Sequence, residues 1–213
     1  MTYFLALVIA AVISPPAVLP AQGASATYHY VFTGHFWNGA LTHADRTDTL
    51  KKTSGTVDIS KRDNASEETT KSHGTINADG TVSLTDGNAT SNPFAPYNSI
   101  ALLVHGAPSY NTGAKWNTSL PVQTGLSAAD LTQVPVAVTV AKIDGDVLTV
   151  QGTGTKSAIS TYGDYKDPID LTIQVAARFQ AGKLQRADYK ATEYVHAGPL
   201  SQTMTWSWSL TRD

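Results

Sequence analysis

The chain contains no cysteine among its 213 residues. That absence excludes thiol nucleophiles, thiolate metal sites and a lipidated-cysteine anchor, and it leaves no disulfide to staple a core. A chain of this length can bury a sizeable core without one. Charge is also scarce: 15% of residues are Asp, Glu, Lys or Arg, and the formal net charge is −2. So neutral a surface does not track a phosphate backbone, and nucleic acid is not an expected partner. Nor is there a Lys/Arg cluster of the kind that grips anionic lipid headgroups.

Catalytic and metal-binding signatures are missing too. No G-x-S-x-G elbow, H-E-x-x-H helix or H-x-H pair occurs, so nothing fixes a serine nucleophile or two imidazoles toward one ion. Gly152-Thr-Gly-Thr-Lys-Ser157 lacks the spacing of a phosphate loop and is expected instead at a Thr-rich strand end that bends at its glycines. No catalytic residue, metal ligand or cofactor is assigned.

Long apolar runs are limited to one. Tyr3–Ile13, YFLALVIAAVI, has the length of a signal-peptide h-region and is too short to span a bilayer. Ser14-Pro-Pro follows, then small residues ending in Ala24-Ser-Ala26. The pattern predicts a signal peptide over 1–26 with cleavage after Ala26, Ala21 and Gly23 being the neighbouring alternatives, and a single exported β domain over 27–213. No Lys or Arg precedes the run, which leaves a buried N-terminal element as the alternative. With no cysteine, the expected setting is bacterial, periplasmic or extracellular.

What the sequence has in abundance is period-2 alternation. Tyr28, Tyr30 and Phe32 share a face; so do Val57 and Ile59, and so do Trp116, Thr118, Leu120 and Val122. Hairpins are expected at Ala78-Asp-Gly80, with Ile76, Val82 and Leu84 inward, and at Asp144-Gly145, following Val134, Val136, Val138 and Val140. The longest stripe, Ile169 to Phe179, turns at Ala181-Gly-Lys183 into Leu184–His196. His196–Pro199 then turns the chain into Thr203–Leu210. Tyr97–Gly106 clusters its apolar residues instead, which suits a short helix near 97–105 capped by Asn98 or Ser99 and ended by Gly106, or else a buried strand. Leu126–Leu131 suits another helical turn. Polar stretches at about Asn38–Lys52 and Arg62–Ser72 suit long connections.

These elements predict an all-β fold: one antiparallel meander sheet curved into a barrel or half-barrel, with a two-sheet sandwich as the alternative. A transmembrane barrel fits less well, because outward positions such as Asp58, Gln174 and Arg178 are polar and no paired aromatic girdles are visible. At the level of architecture alone, the expected fold resembles the curved half-barrels that carry lipids through the bacterial periplasm. Fold does not fix function.

Two polar clusters bear on chemistry. His35, His43, Asp45 and Asp48 are the densest set of potential metal ligands, and Asp164, Asp167 and Asp170 could offer oxygens to calcium, but neither has a ligand spacing. Asp188 and Glu193 fall on opposite faces by alternation and do not form a carboxylate pair. At the C-terminus, Met204, Trp206, Trp208 and Leu210 share one face. Such a stripe fills a core or walls a cavity. Trp206, Trp208, Met204, Phe179 and Val175 are therefore the candidate cavity wall. The expected function is non-enzymatic binding of a lipid, another apolar small molecule or an envelope partner in the sheet's concavity. An envelope glycan or peptide hydrolase and a ligand-free structural or adhesive module are the alternatives.

Overall fold

The computed structural model describes residues 14–35, 40–85, 92–124, 131–162 and 165–213. Eleven antiparallel strands form one sheet: β1 (Ser25–His35), β2 (Leu41–Thr53), β3 (Thr56–Asp63), β4 (Thr69–Ile76), β5 (Val82–Leu84), β6 (Lys115–Gln123), β7 (Leu131–Asp144), β8 (Val147–Tyr162), β9 (Tyr165–Gln180), β10 (Lys183–Val195) and β11 (Gln202–Arg212). Their order is β5-β4-β3-β2-β1-β11-β10-β9-β8-β7-β6. The sheet is all-β and curved, as the alternation predicts, but it does not close into a barrel, nor does it divide into a sandwich.

The alternation holds strand by strand. On β9, Ile169, Leu171, Ile173, Val175, Ala177 and Phe179 are all at most 3% exposed, while Asp170, Thr172, Gln174, Arg178 and Gln180 face water. Breaks of register between Leu184 and Arg186 and between Val140 and Lys142 add the local twist that bends long strands. The expected hairpins form: Ile76 pairs with Val82, and Asp144 pairs with Val147 around Gly145, whose φ is 60°.

Three details differ from expectation. The stretches expected as polar connections are largely strand, since β2 starts at Leu41 and β4 at Thr69. Polar side chains on both faces mask the period there: Arg46 and Asp48 point inward with Leu50, so no apolar stripe is visible. The Gly152–Ser157 stretch lies in the middle of β8, not at its end. A Cβ at Gly152 would sit 2.8 Å from Leu103 Cδ1 and 2.7 Å from Val136 Cγ1, so this glycine makes room for the helix above it.

That helix, α1 (Ala95–Val104), begins two residues before the expected start, and neither Asn98 nor Ser99 caps it. Pro96 in the first turn has no N–H to lose, and Asn92 accepts from the backbone N–H groups of Phe94 and Ala95. Gly106, with φ 74°, follows its last turn. The 126–130 part of the second expected helical turn lies outside the described residues.

α1 is the crossing from one edge of the sheet to the other, and it ties both edges. Asn98 bonds the backbone of β5 twice, accepting from Val82 N–H at 2.7 Å and donating to Val82 C=O at 2.9 Å. From β6, Trp116 Nε1 and Thr118 Oγ1 donate to the carbonyls of Leu103 and Leu102, each at 3.0 Å. Phe94, Tyr97, Ile100 and Leu103 are buried against the inner face. Among the described residues, no helix is long and apolar enough to cross a membrane.

Candidate functional site

Cross-strand registers explain why the two C-terminal indoles differ. Trp208 lies between two bulky neighbours, Phe32 on β1 and Tyr189 on β10, and the same row continues through Val175 on β9 to Gly152 on β8. Its ring stacks on Tyr189, 5.2 Å between centroids and 3° from parallel, and it is 8% exposed. Trp206 is flanked instead by Gly34 and Ala191. Small neighbours leave its indole only partly covered.

The inner face therefore keeps a recess of about 420 Å³. Its floor is aromatic: Tyr30, Phe32, Tyr189, Trp206 and Trp208. The N-terminal half of α1 (Ala95, Pro96, Ser99) roofs it, and the end of β6 (Pro121–Gln123) closes one side. Arg46 and Lys61 line it from β2 and β3.

Arg46 is engaged on two sides. Its guanidinium lies over the Tyr30 ring, 3.8 Å from the centroid, and grips Asp48 through Nε at 2.7 Å and Nη2 at 3.2 Å. Asp48, fully buried, also accepts from Tyr97 Oη at 3.0 Å. Burial, opposed by Arg46 and reinforced by Asp48, pushes the Tyr30 hydroxyl up to about 12. Burial likewise raises Tyr189, so both phenols are neutral at physiological pH. Lys61 differs: among the described residues it makes no hydrogen bond or ion pair. Its partial burial, with Arg46 nearby and against the pull of Asp48, lowers its ammonium below the usual lysine range.

Of the candidate wall, Trp206 and Trp208 line the recess. Val175 (3% exposed), Phe179 (1%) and Met204 (2%) are buried in the core. Tyr30, Phe32, Tyr189, Arg46 and Lys61 complete the site without having been picked out. Tyr30 and Phe32 lay on a stripe already visible in the sequence and Tyr189 within an expected strand, whereas Arg46 and Lys61 lay in or beside a stretch of polar composition.

The opposite face of the sheet carries a larger depression of about 520 Å³, rimmed by Gln151, Thr153, Gln174, Asp188, Lys190 and Ser207. Val31 and Ala176 share its lining with these polar residues, and Tyr189 and Trp208 alternate to the inner face.

The polar clusters disperse. His29 pairs with Asp45 at 2.8 Å, His73 with Asp58 at 2.6 Å and His196 with Asp170 at 2.7 Å, all exposed. His43 meets Thr33, and Asp170 is also bonded by Ser157 at 2.6 Å. Asp164 lies outside the described residues. Asp188 is on the outer face beside Arg186, and Glu193 is buried on the inner one. Among the described residues, no three His, Asp or Glu side chains converge on one point.

One rim of the sheet is distinct. Leu41, Leu131, Ile159, Tyr194 and Leu200 are the large apolar residues described as exposed, from 40% to 71%. Each sits at or beside a strand end on the side where β1 ends and β2 begins. The recess and the N-terminus of α1 lie toward that same side.

No protein-family model matches this chain, and no curated protein matches it.

Proposed function

We propose that this is an exported, non-enzymatic β protein that binds an apolar small molecule in the recess beneath α1. The observation that carries this is Trp206: an indole on the inner face, left partly uncovered by Gly34 and Ala191, at the wall of a 420 Å³ space with four further aromatic rings. Space of that size and aromatic character suits a small apolar ligand.

Titrating the protein with an environment-sensitive fluorescent lipid tests this directly. The expected result is saturable uptake, with Trp206→Ala weakening it about tenfold and lowering the urea midpoint less than Trp208→Ala does, because the Trp206 indole is only partly buried against the core. Trp208→Ala, which removes a stacked ring, should lower stability by about 3 kcal/mol. Mass spectrometry of solvent extracts from protein purified from its own host should show a copurified apolar molecule. Absence of both uptake and copurified ligand would overturn the proposal. Export is tested by fractionating cells that express the full chain: N-terminal sequencing of the envelope or medium fraction should begin at Thr27.

A further inference from the structure

The recess is not electrically neutral. Arg46 is matched by Asp48 through a two-point grip, so these two cancel. Lys61 remains, on the inward-facing stripe of β3 that begins with Val57 and Ile59. Register places it opposite Asp48 on β2, but that carboxylate is already taken by Arg46 and Tyr97. A partly buried ammonium without its own counter-ion is a costly arrangement. The first turn of α1, which roofs the same space, contains no acidic residue, and a helix N-terminus adds positive potential. Among the described residues that line it, the recess thus pairs an aromatic wall with one ammonium that no carboxylate binds directly.

From this we infer that the ligand is an amphiphile carrying one acidic group, a carboxylate or a phosphate monoester, seated at Lys61 with its apolar body against Trp206. The inference rests on the proposed binding function and adds the headgroup to it.

The test compares a fluorescent long-chain fatty acid with its methyl ester on the full chain. The acid should bind at least tenfold more tightly than the ester, the size of effect a charge-assisted hydrogen bond gives. Lys61→Gln should abolish that difference by weakening the acid alone, and Lys61→Arg should keep it. Circular dichroism confirms that each variant is folded. A lysophospholipid bearing a terminal phosphate, run in parallel, tells a carboxylate site from a phosphate site. Equal binding of acid and ester by the unmodified protein would overturn the headgroup assignment and leave the apolar recess standing. A preference for the acid that survives in Lys61→Gln would also overturn it. Failure of both probes to bind would remove the binding function and the headgroup together.

Discussion

A methyl group added at Gly152 would meet two side chains inside 3 Å, Val136 from the neighbouring strand and Leu103 from α1. Both are fully packed, so neither can retreat, and Gly152→Ala should destabilise the fold by about 1–3 kcal/mol, measured as a shift in urea midpoint. Because the clash is partly with Leu103, adding Leu103→Ala should cost less in the Gly152→Ala background than alone, a coupling a double-mutant cycle reads. Single side chains also set the acid limit of stability. The Asp45 carboxyl is held below its ordinary range by hydrogen bonds from His29 and Asn64, Asp170 by those from Ser157 and His196, and Asp63 by those from Ser66 and Ala65. A carboxyl whose folded pKa lies below its unfolded one stabilises the fold above the unfolded value, and that contribution disappears as pH falls through the folded value. The urea midpoint should therefore hold between neutral pH and about pH 5 and decline below about pH 4. Asp45→Asn with Asp170→Asn should flatten that decline.

At the level of elements, α1 decides how an open eleven-stranded sheet ends. Unpaired edge strands invite association with other chains, and here Asn98 occupies the β5 edge with a side-chain amide that copies a backbone partner. Asn98→Ala leaves Val82 N–H and C=O without those bonds and should lower stability by about 1–3 kcal/mol. Light scattering should show more self-association in the variant. This role was hidden in the sequence. Asn98 reads there as a helix cap, because Asn is a common cap and the clustered apolar residues begin beside it, whereas its partner lies sixteen residues away on another element. β2 was hidden for a related reason. Thr42–Lys52 alternates, but Arg46 and Asp48 occupy inward positions that apolar residues usually take, and their mutual ion pair, the Tyr97 hydroxyl and the Tyr30 ring together make that burial tolerable. By contrast, β7, β9 and β11 were readable residue by residue, since their inward positions are consistently apolar or aromatic.

For the whole molecule, the stretch before β1 is part of the packing. Val18 is 6% exposed and Ala26, the second residue of β1, is 4% exposed, Tyr28 Oη donates to the Val18 carbonyl at 3.4 Å, and Ala17 N–H donates to Gly182 C=O at 2.7 Å. The expected cleavage point after Ala26 falls within this packed region. A protein starting at Thr27 should be less stable than one starting at Ser14 by about 2 kcal/mol, the order of one buried valine side chain. Urea melts of the two purified forms check this.

Alternation along the chain shows which side of each clearly alternating strand faces inward, because the pleat sends successive side chains to opposite faces whatever surrounds them. It thereby determined the all-β class, the main hairpins and the inward placement of both C-terminal indoles. That one indole is stacked wall and the other a partly open surface emerges from cross-strand packing. That difference rests on Gly34, Ala191, Phe32 and Tyr189, residues far from the indoles along the chain. It also rests on a helix that fills part of the concavity and stops short of the rest. Local periodicity says where a side chain points; register between distant strands says what, if anything, it meets there.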